Sequence, residues 1–187
     1  MDDRLTKTDW IDHGLRTLAT EGANALKVGA MAAKLNVSRG SFYWHFKDIG
    51  DFRAQLLQSW LERTTEQVIQ RLEAGQTGPH RLRSLLQGAF IRKPALDRAT
   101  SPWAAEDAIR AWAVADAEVA AMVASVDDRR IAYIAELLIA SGVAPGTARA
   151  RAAFLYWAYL GQAIVMDRNH ASLSAEAIDA IAALFET

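Results

Sequence analysis

The 187-residue sequence predicts an all-α protein of about nine helices, divided into an amino-terminal three-helix domain (residues 1–50) and a larger helical domain (residues 51–187). Three observations carry this reading. Apolar residues recur at i, i+3, i+4 and i+7 from one end to the other, the spacing of a buried helix face. No stretch shows the two-residue alternation of a half-buried strand, and there are no internal repeats or low-complexity tracts. Helix stops punctuate the chain at Gly22, Asn36, Gly75 to Pro79, Pro94 and Gly142.

Composition sets outer bounds. Hydrophobic residues make up 51% and charged residues 23%, near the globular average, and the length supports a sizeable core. With no cysteine there is no disulfide framework and no thiolate metal site. His13, His45, His80 and His170 lie too far apart for metal-ligand spacing, so neither a metal nor a cofactor is expected. The polar stretch Met1 to Lys7 does not resemble a signal peptide, and a cytoplasmic location is expected.

The first helix is expected from Lys7 to Glu21. Thr6 and Asp9 have the spacing of a capping box; Trp10, Ile11, Gly14, Leu15 and Leu18 mark the inner face, and Gly22 ends it. A second helix, Val28 to Leu35, turns Val28, Met31, Ala32 and Leu35 inward. Asn36 tolerates the left-handed conformation that ends such a helix, and Ser38 can cap the third, Arg39 to Phe46. Two short helices joined by a three- or four-residue turn form a helix-turn-helix unit, whose second helix can enter a DNA major groove.

The second of these helices has suitable chemistry. Arg39 can fork onto guanine, while Ser38 and Ser41 can reach phosphates or base edges. Gly40 costs about 1 kcal/mol in a helix interior, a cost that a close-approaching surface would explain. Phe42 and Phe46 face inward; Tyr43, Trp44 and His45 are left to pack on sugars and thymine methyls. Lys27 and Lys47 sit where they can hold phosphates. The overall charge is −1, and residues 1–50 carry seven basic against six acidic side chains, so affinity rests on local contacts and on dimerisation.

The segment Leu35-Asn36-Val37-Ser38-Arg39-Gly40-Ser41-Phe42-Tyr43-Trp44-His45-Phe46-Lys47-Asp48 resembles the recognition segment of the TetR (tetracycline-repressor-like) regulators, and the similarity extends from about Leu5 to Leu57. The resemblance implies a homodimeric, ligand-released repressor that binds operator DNA, with a second domain for effector binding and dimerisation. Two residues depart from the family pattern. Lys27 stands where a capping threonine is common, and Asn36 where glycine is common.

The fourth helix is expected to run from Ile49 to Ala74, capped by Asp48 with Asp51 three residues on. At 1.5 Å per residue it would be roughly 40 Å long, a lever from the reading helices into the second domain. Phe52, Leu56, Trp60, Thr64, Val68 and Leu72 line one face. Further helices follow at Arg81 to Arg92, at Trp103 to Ala115 behind Ser101-Pro102, and from the Asp116 cap to Ser141. Another begins at Thr147, and the last spans Ser174 to Phe185.

Ala152 to Met166 contains no charged residue. At about 22 Å it is too short for a bilayer core of roughly 30 Å, so no membrane partner is expected. A helix apolar all round needs cover on both sides. A twofold partner copy would provide it, through Phe154, Ala158, Gly161, Gln162 and Val165 with Ile178 and Ile181 of the last helix. Under the resemblance, Trp60, Arg63, Gln67, Phe90, Trp103, Trp112 and Trp157 surround a cavity for a small apolar or aromatic effector. No convergent catalytic constellation is visible, so no enzyme is expected; the alternative is a helical small-molecule-binding protein or enzyme without a DNA function.

Overall fold

The computed structural model describes residues 5–75, 80–90, 102–164 and 173–185. Among the described residues every regular element is helical: α1 (Lys7–Glu21), α2 (Val28–Lys34), α3 (Arg39–Tyr43), α4 (Ile49–Leu61), α5 (Gln67–Gly75), α6 (His80–Phe90), α7 (Pro102–Ala113), α8 (Ala117–Ala140), α9 (Pro145–Ile164) and α10 (Ala175–Phe185). A 3₁₀ turn at Ala23–Ala25 follows α1. The expected lever helix exists from Ile49 to Gly75, but a π-turn at Glu62–Glu66 interrupts it and makes two helices of one.

The described residues pack as two compact units. One holds the residues up to Thr64 with those from 102 to Ala124; the other holds Thr65 to 90 with those from Ser125 onward. By packing, α4 and α7 thus join the three amino-terminal helices, and the change of unit falls inside the π-turn.

In the first unit, most local signals resolve as expected. Thr6 accepts the Asp9 amide (3.2 Å) while the Asp9 carboxylate accepts the Thr6 amide (2.7 Å), the reciprocal capping box. Gly22, at φ 79°, ends α1. Gly14 earns its place: a methyl there would lie 2.5 Å from the Phe52 ring and 2.8 Å from Leu56, so only glycine lets α1 and α4 approach so closely. Asn36 is left-handed at φ 55°. Its amide donates to Ala33 (3.2 Å) and that of Val37 to Ala32 (3.0 Å), the paired bonds of a Schellman stop. Asp48 caps α4 by accepting the Asp51 amide at 2.8 Å.

The core of this unit is aromatic. Trp10, Phe42, Phe46 and Phe52 are all buried. Phe42 meets Trp10 edge-on at 5.3 Å, Phe46 at 5.0 Å and Phe52 at 5.5 Å, and Phe46 and Phe52 pack edge-to-face at 5.0 Å. Such pairs each contribute about 0.5–1.5 kcal/mol beyond their burial. The five-residue α3, too short to stand alone, is held by this cluster against α1 and α4.

Helix bounds differ where a local argument missed a competing contact. α3 ends at Tyr43, not Phe46; the amides of His45 (3.0 Å) and Phe46 (3.1 Å) both turn back to the Phe42 carbonyl, which draws Phe46 into the cluster. Ser38 occupies the N-cap position with no capping bond from its side chain. α9 starts two residues early because Pro145 takes the first helical position, where its missing N–H costs nothing.

The second unit buries Leu82, Leu86, Tyr133, Leu138, Ala152, Leu155, Tyr156, Ile178 and Ala182 in one apolar core. Gly142 (φ 104°) stops α8. Along the flank of α8, Arg130 donates to the hydroxyls of Thr65 (2.9 Å) and Tyr156 (3.1 Å), and the Tyr156 hydroxyl donates to Asp127 (2.7 Å). Arg129 pairs with Glu66 at 3.3 Å. The carboxy-terminal part of the π-turn is therefore gripped by two arginines.

Candidate nucleic-acid interface

α3 stands on the aromatic cluster with its outer side open. Phe42 anchors it, Arg39, Gly40 and Lys47 are exposed, and Ser41 is half-buried. Tyr43 and Trp44 are 58% and 74% exposed, which is uncommon for such large rings side by side. Tyr43 is steadied from behind by the edge of Phe42, at 5.4 Å. Lys27 and Ser38 are exposed at the starts of α2 and α3. As its missing threonine implies, Lys27 gives α2 no side-chain cap. Among the described residues, a methyl at Gly40 would meet only the Ser38 hydroxyl, at 3.5 Å.

His45 is different. Its Nε2 donates to the Leu5 carbonyl at 2.8 Å, and the ring is half-buried. The residue ties the start of the chain to the turn after α3, across 40 residues, which helix spacing could not reveal. On the far side of α2, Lys34 pairs with Glu21, which therefore lies beside a cation rather than facing outward alone.

The expected effector residues do not converge on one described cavity. Trp60 is buried and donates from Nε1 to the Glu106 carboxylate (3.0 Å), which also takes Arg110 (2.8 Å). Sequence reasoning missed Glu106, a carboxylate only 3% exposed, because its partner Trp60 lies 46 residues away. Arg63 pairs with Asp12 (2.5 Å). Trp112 donates to Asp116 (3.1 Å) and lies under Arg53 (5.7 Å). Trp103 is half-buried on α7. In the second unit Phe90 packs on the apolar core, Gln67 is exposed, and Trp157 is 64% exposed and so lines no interior. A cleft of about 310 Å³ between α1 and α4 is lined by Lys7, Ile11, Gln55, Ser59, Glu62 and Arg63; of the expected set only Arg63 borders it.

Of the expected pairing residues, Phe154 (59% exposed) and Ala158 lie on the outside of α9, and the space beside Gly161 is open. Gln162 is half-buried, its amide donating to the carbonyls of Ala89 (3.2 Å) and Tyr159 (3.0 Å). Ile178 does not face outward: it is 1% exposed, because α10 turns it onto the core shared with α6 and α9. Ile181 is half-buried, and Val165 lies outside the described residues.

Among the described residues no helix is long and apolar enough to cross a membrane, and no three metal-binding side chains cluster. The family described as bacterial regulatory proteins, tetR family, matches residues 11–56, which hold α2, α3 and the Phe42, Phe46 and Phe52 rings of the aromatic cluster. The chain is 33% identical over 51 residues to the HTH-type transcriptional regulator AcrR of Shigella flexneri; the match covers 27% of this chain and about a quarter, 24%, of that protein. Among solved structures, it is similar in fold to a proposed transcriptional regulator from Saccharomonospora viridis in complex with choline (TM-score 0.71, 17% identity, 96% of this chain and 92% of that one). It is similar to a proposed TetR-family transcriptional regulator from Rhodococcus sp. (TM-score 0.70, 18% identity, 96% of each). A proposed fatty acid metabolism regulator of Clostridium perfringens shares the fold to the same degree (TM-score 0.70, 16% identity, 94% and 95%). Residues 11–56 thus match the helix-turn-helix domain of the tetR family of bacterial regulatory proteins, and the whole chain shares its fold with solved transcriptional regulators.

Proposed function

We propose that this protein is a homodimeric transcription regulator that reads operator DNA with α3 and is released from it, as a repressor, by a small molecule. One observation carries the DNA reading: Arg39, Tyr43 and Trp44 are exposed on a helix whose opposite side is locked into an aromatic core. A rigid support for exposed, mixed basic and aromatic side chains suits a groove floor of base edges and methyls. Lys27 and Lys47 flank it as phosphate ligands. The exposed Phe154 and Ala158 on α9, with half-buried Gly161 one turn on, support pairing with a second copy, which would set two α3 helices about one DNA turn apart, roughly 34–36 Å.

The choline held by a protein of the same fold supports a small-molecule effector here as well. Such a ligand changes DNA affinity only by as much as its own affinity differs between two conformations, typically about 1–3 kcal/mol.

The test is a gel shift with duplexes selected from a random library and with DNA upstream of the protein's own gene. Arg39→Ala should cost about 1–3 kcal/mol and relax preference at one position per half-site. Lys47→Ala should weaken every duplex alike and reduce the salt slope by about 1. Unchanged affinity in the Arg39→Ala, Tyr43→Ala double variant would remove α3 from the interface.

A further inference from the structure

Gly29, in the first turn of α2, faces the side chain of Arg39. A methyl group on Gly29 would lie 2.9 Å from Nη2 of Arg39, 3.2 Å from Nε and 3.3 Å from Cζ. The guanidinium thus occupies the space that the side chain of any other amino acid would need. Nothing else about the position requires glycine. It lies inside a helix, and the positive-φ glycines of the described residues are Gly22 and Gly142. A glycine within a helix is normally a cost, because alanine loses less backbone entropy there.

We propose that Gly29 is a positioning residue for base recognition: it seats the Arg39 guanidinium across the first turn of α2 and so sets the direction from which that fork meets a base edge. The proposal rests on the reading of α3 as the DNA-reading helix. The physical reason is that a bidentate arginine–guanine contact depends on the plane of the fork. A long exposed side chain otherwise loses rotamer freedom on binding, and a seat in the free protein reduces that loss. Because the obstructing atoms belong to the end of a flexible side chain, alanine at position 29 moves Arg39 and leaves the backbone as it is.

The experiment compares the parent, Gly29→Ala, Arg39→Ala and the double variant. Each is titrated with the duplex selected by the parent, with copies changed at one base pair, and with an unrelated duplex. Gly29→Ala should lose several-fold, up to the roughly 5–150-fold that one bidentate contact supplies, in preference at a single base pair per half-site. Binding to the unrelated duplex should stay the same, and the melting temperature should hold or rise, opposite to the effect of a packing defect. With Arg39 already removed, Gly29→Ala should change nothing more. The proposal fails if Gly29→Ala keeps the parental preference at every position, or shifts it equally when Arg39 is absent. A parent protein that prefers no duplex sequence would overturn the DNA reading itself, and the role of Gly29 with it.

Discussion

Two places on this protein expose pairs of large aromatic rings, and their neighbours set them apart. Tyr43 and Trp44 stand at the end of a five-residue helix with Arg39 and Lys47 nearby in sequence. Phe154 and Trp157 stand on a twenty-residue helix beside Ala158 and Gly161, with no charged residue between them. Exposed rings mark a surface that gains by being covered. The charges say by what: cations around aromatics suit a polyanion with stacked, methylated edges, whereas small apolar neighbours suit the close approach of another helix. The supports differ as well. The first pair depends on a compact aromatic cluster, the second on a long helix whose other face is already buried through Leu155 and Tyr156.

The sharpest way to break this contrast is to attack the support of the first pair. Phe42→Ala should cost about 3–5 kcal/mol in chemical denaturation, since it empties the centre of the cluster. Tyr43→Ala, one residue on, should change stability by less than about 0.5 kcal/mol. Equal costs would mean that Tyr43 is core and that α3 offers no aromatic surface. Next in size, Trp157→Ala should leave the fold intact and weaken self-association by about 2 kcal/mol, as expected of an interface tryptophan. Sedimentation equilibrium reads this directly, and an unchanged association constant would free α9 of any pairing role.

The smallest effect sharpens the first region. Burial, with Arg16 and Lys34 nearby, holds the pKa of His13 below its usual 6.5. The unfolded chain therefore takes up a proton first as pH falls, so stability present above about pH 6.5 declines as pH drops through that value. Thermal melts between pH 7.5 and 5.5 should show a shallow slope that His13→Gln flattens. A slope of opposite sign would mean that the folded state holds the proton more tightly.

What could be read from the sequence was local. The Thr6–Asp9 box, the left-handed Asn36 and the Asp48 cap involve residues three or four apart, and each resolves as sequence chemistry requires. So does the inward set Trp10, Phe42, Phe46 and Phe52, because helical spacing puts them on one side. Pairing across distance was not legible. His45 looked outward by periodicity but bonds Leu5; Ile178 was assigned to an outer face because periodicity gives a stripe and not its direction. The π-turn at Glu62–Glu66 leaves no mark in the apolar pattern. Its partners Arg129 and Arg130 lie more than sixty residues further on, and the Thr64 hydroxyl bonds back to the Trp60 carbonyl at 2.7 Å, a local competitor for helix bonding.

The bond from His45 to Leu5 has a practical consequence for anyone handling this protein. A purification handle or fluorescent fusion joined at Leu5 would start beside His45, in the turn after α3, the helix proposed to read DNA. A fusion joined after Phe185 is no safer: the Phe185 carbonyl accepts from Arg151 (2.9 Å), and its ring stacks on Phe154 at 5.9 Å. Apparent affinities measured on tagged protein would then report the tag as much as the chain. A label at Gly146, near the start of α9 with open space around it, disturbs neither.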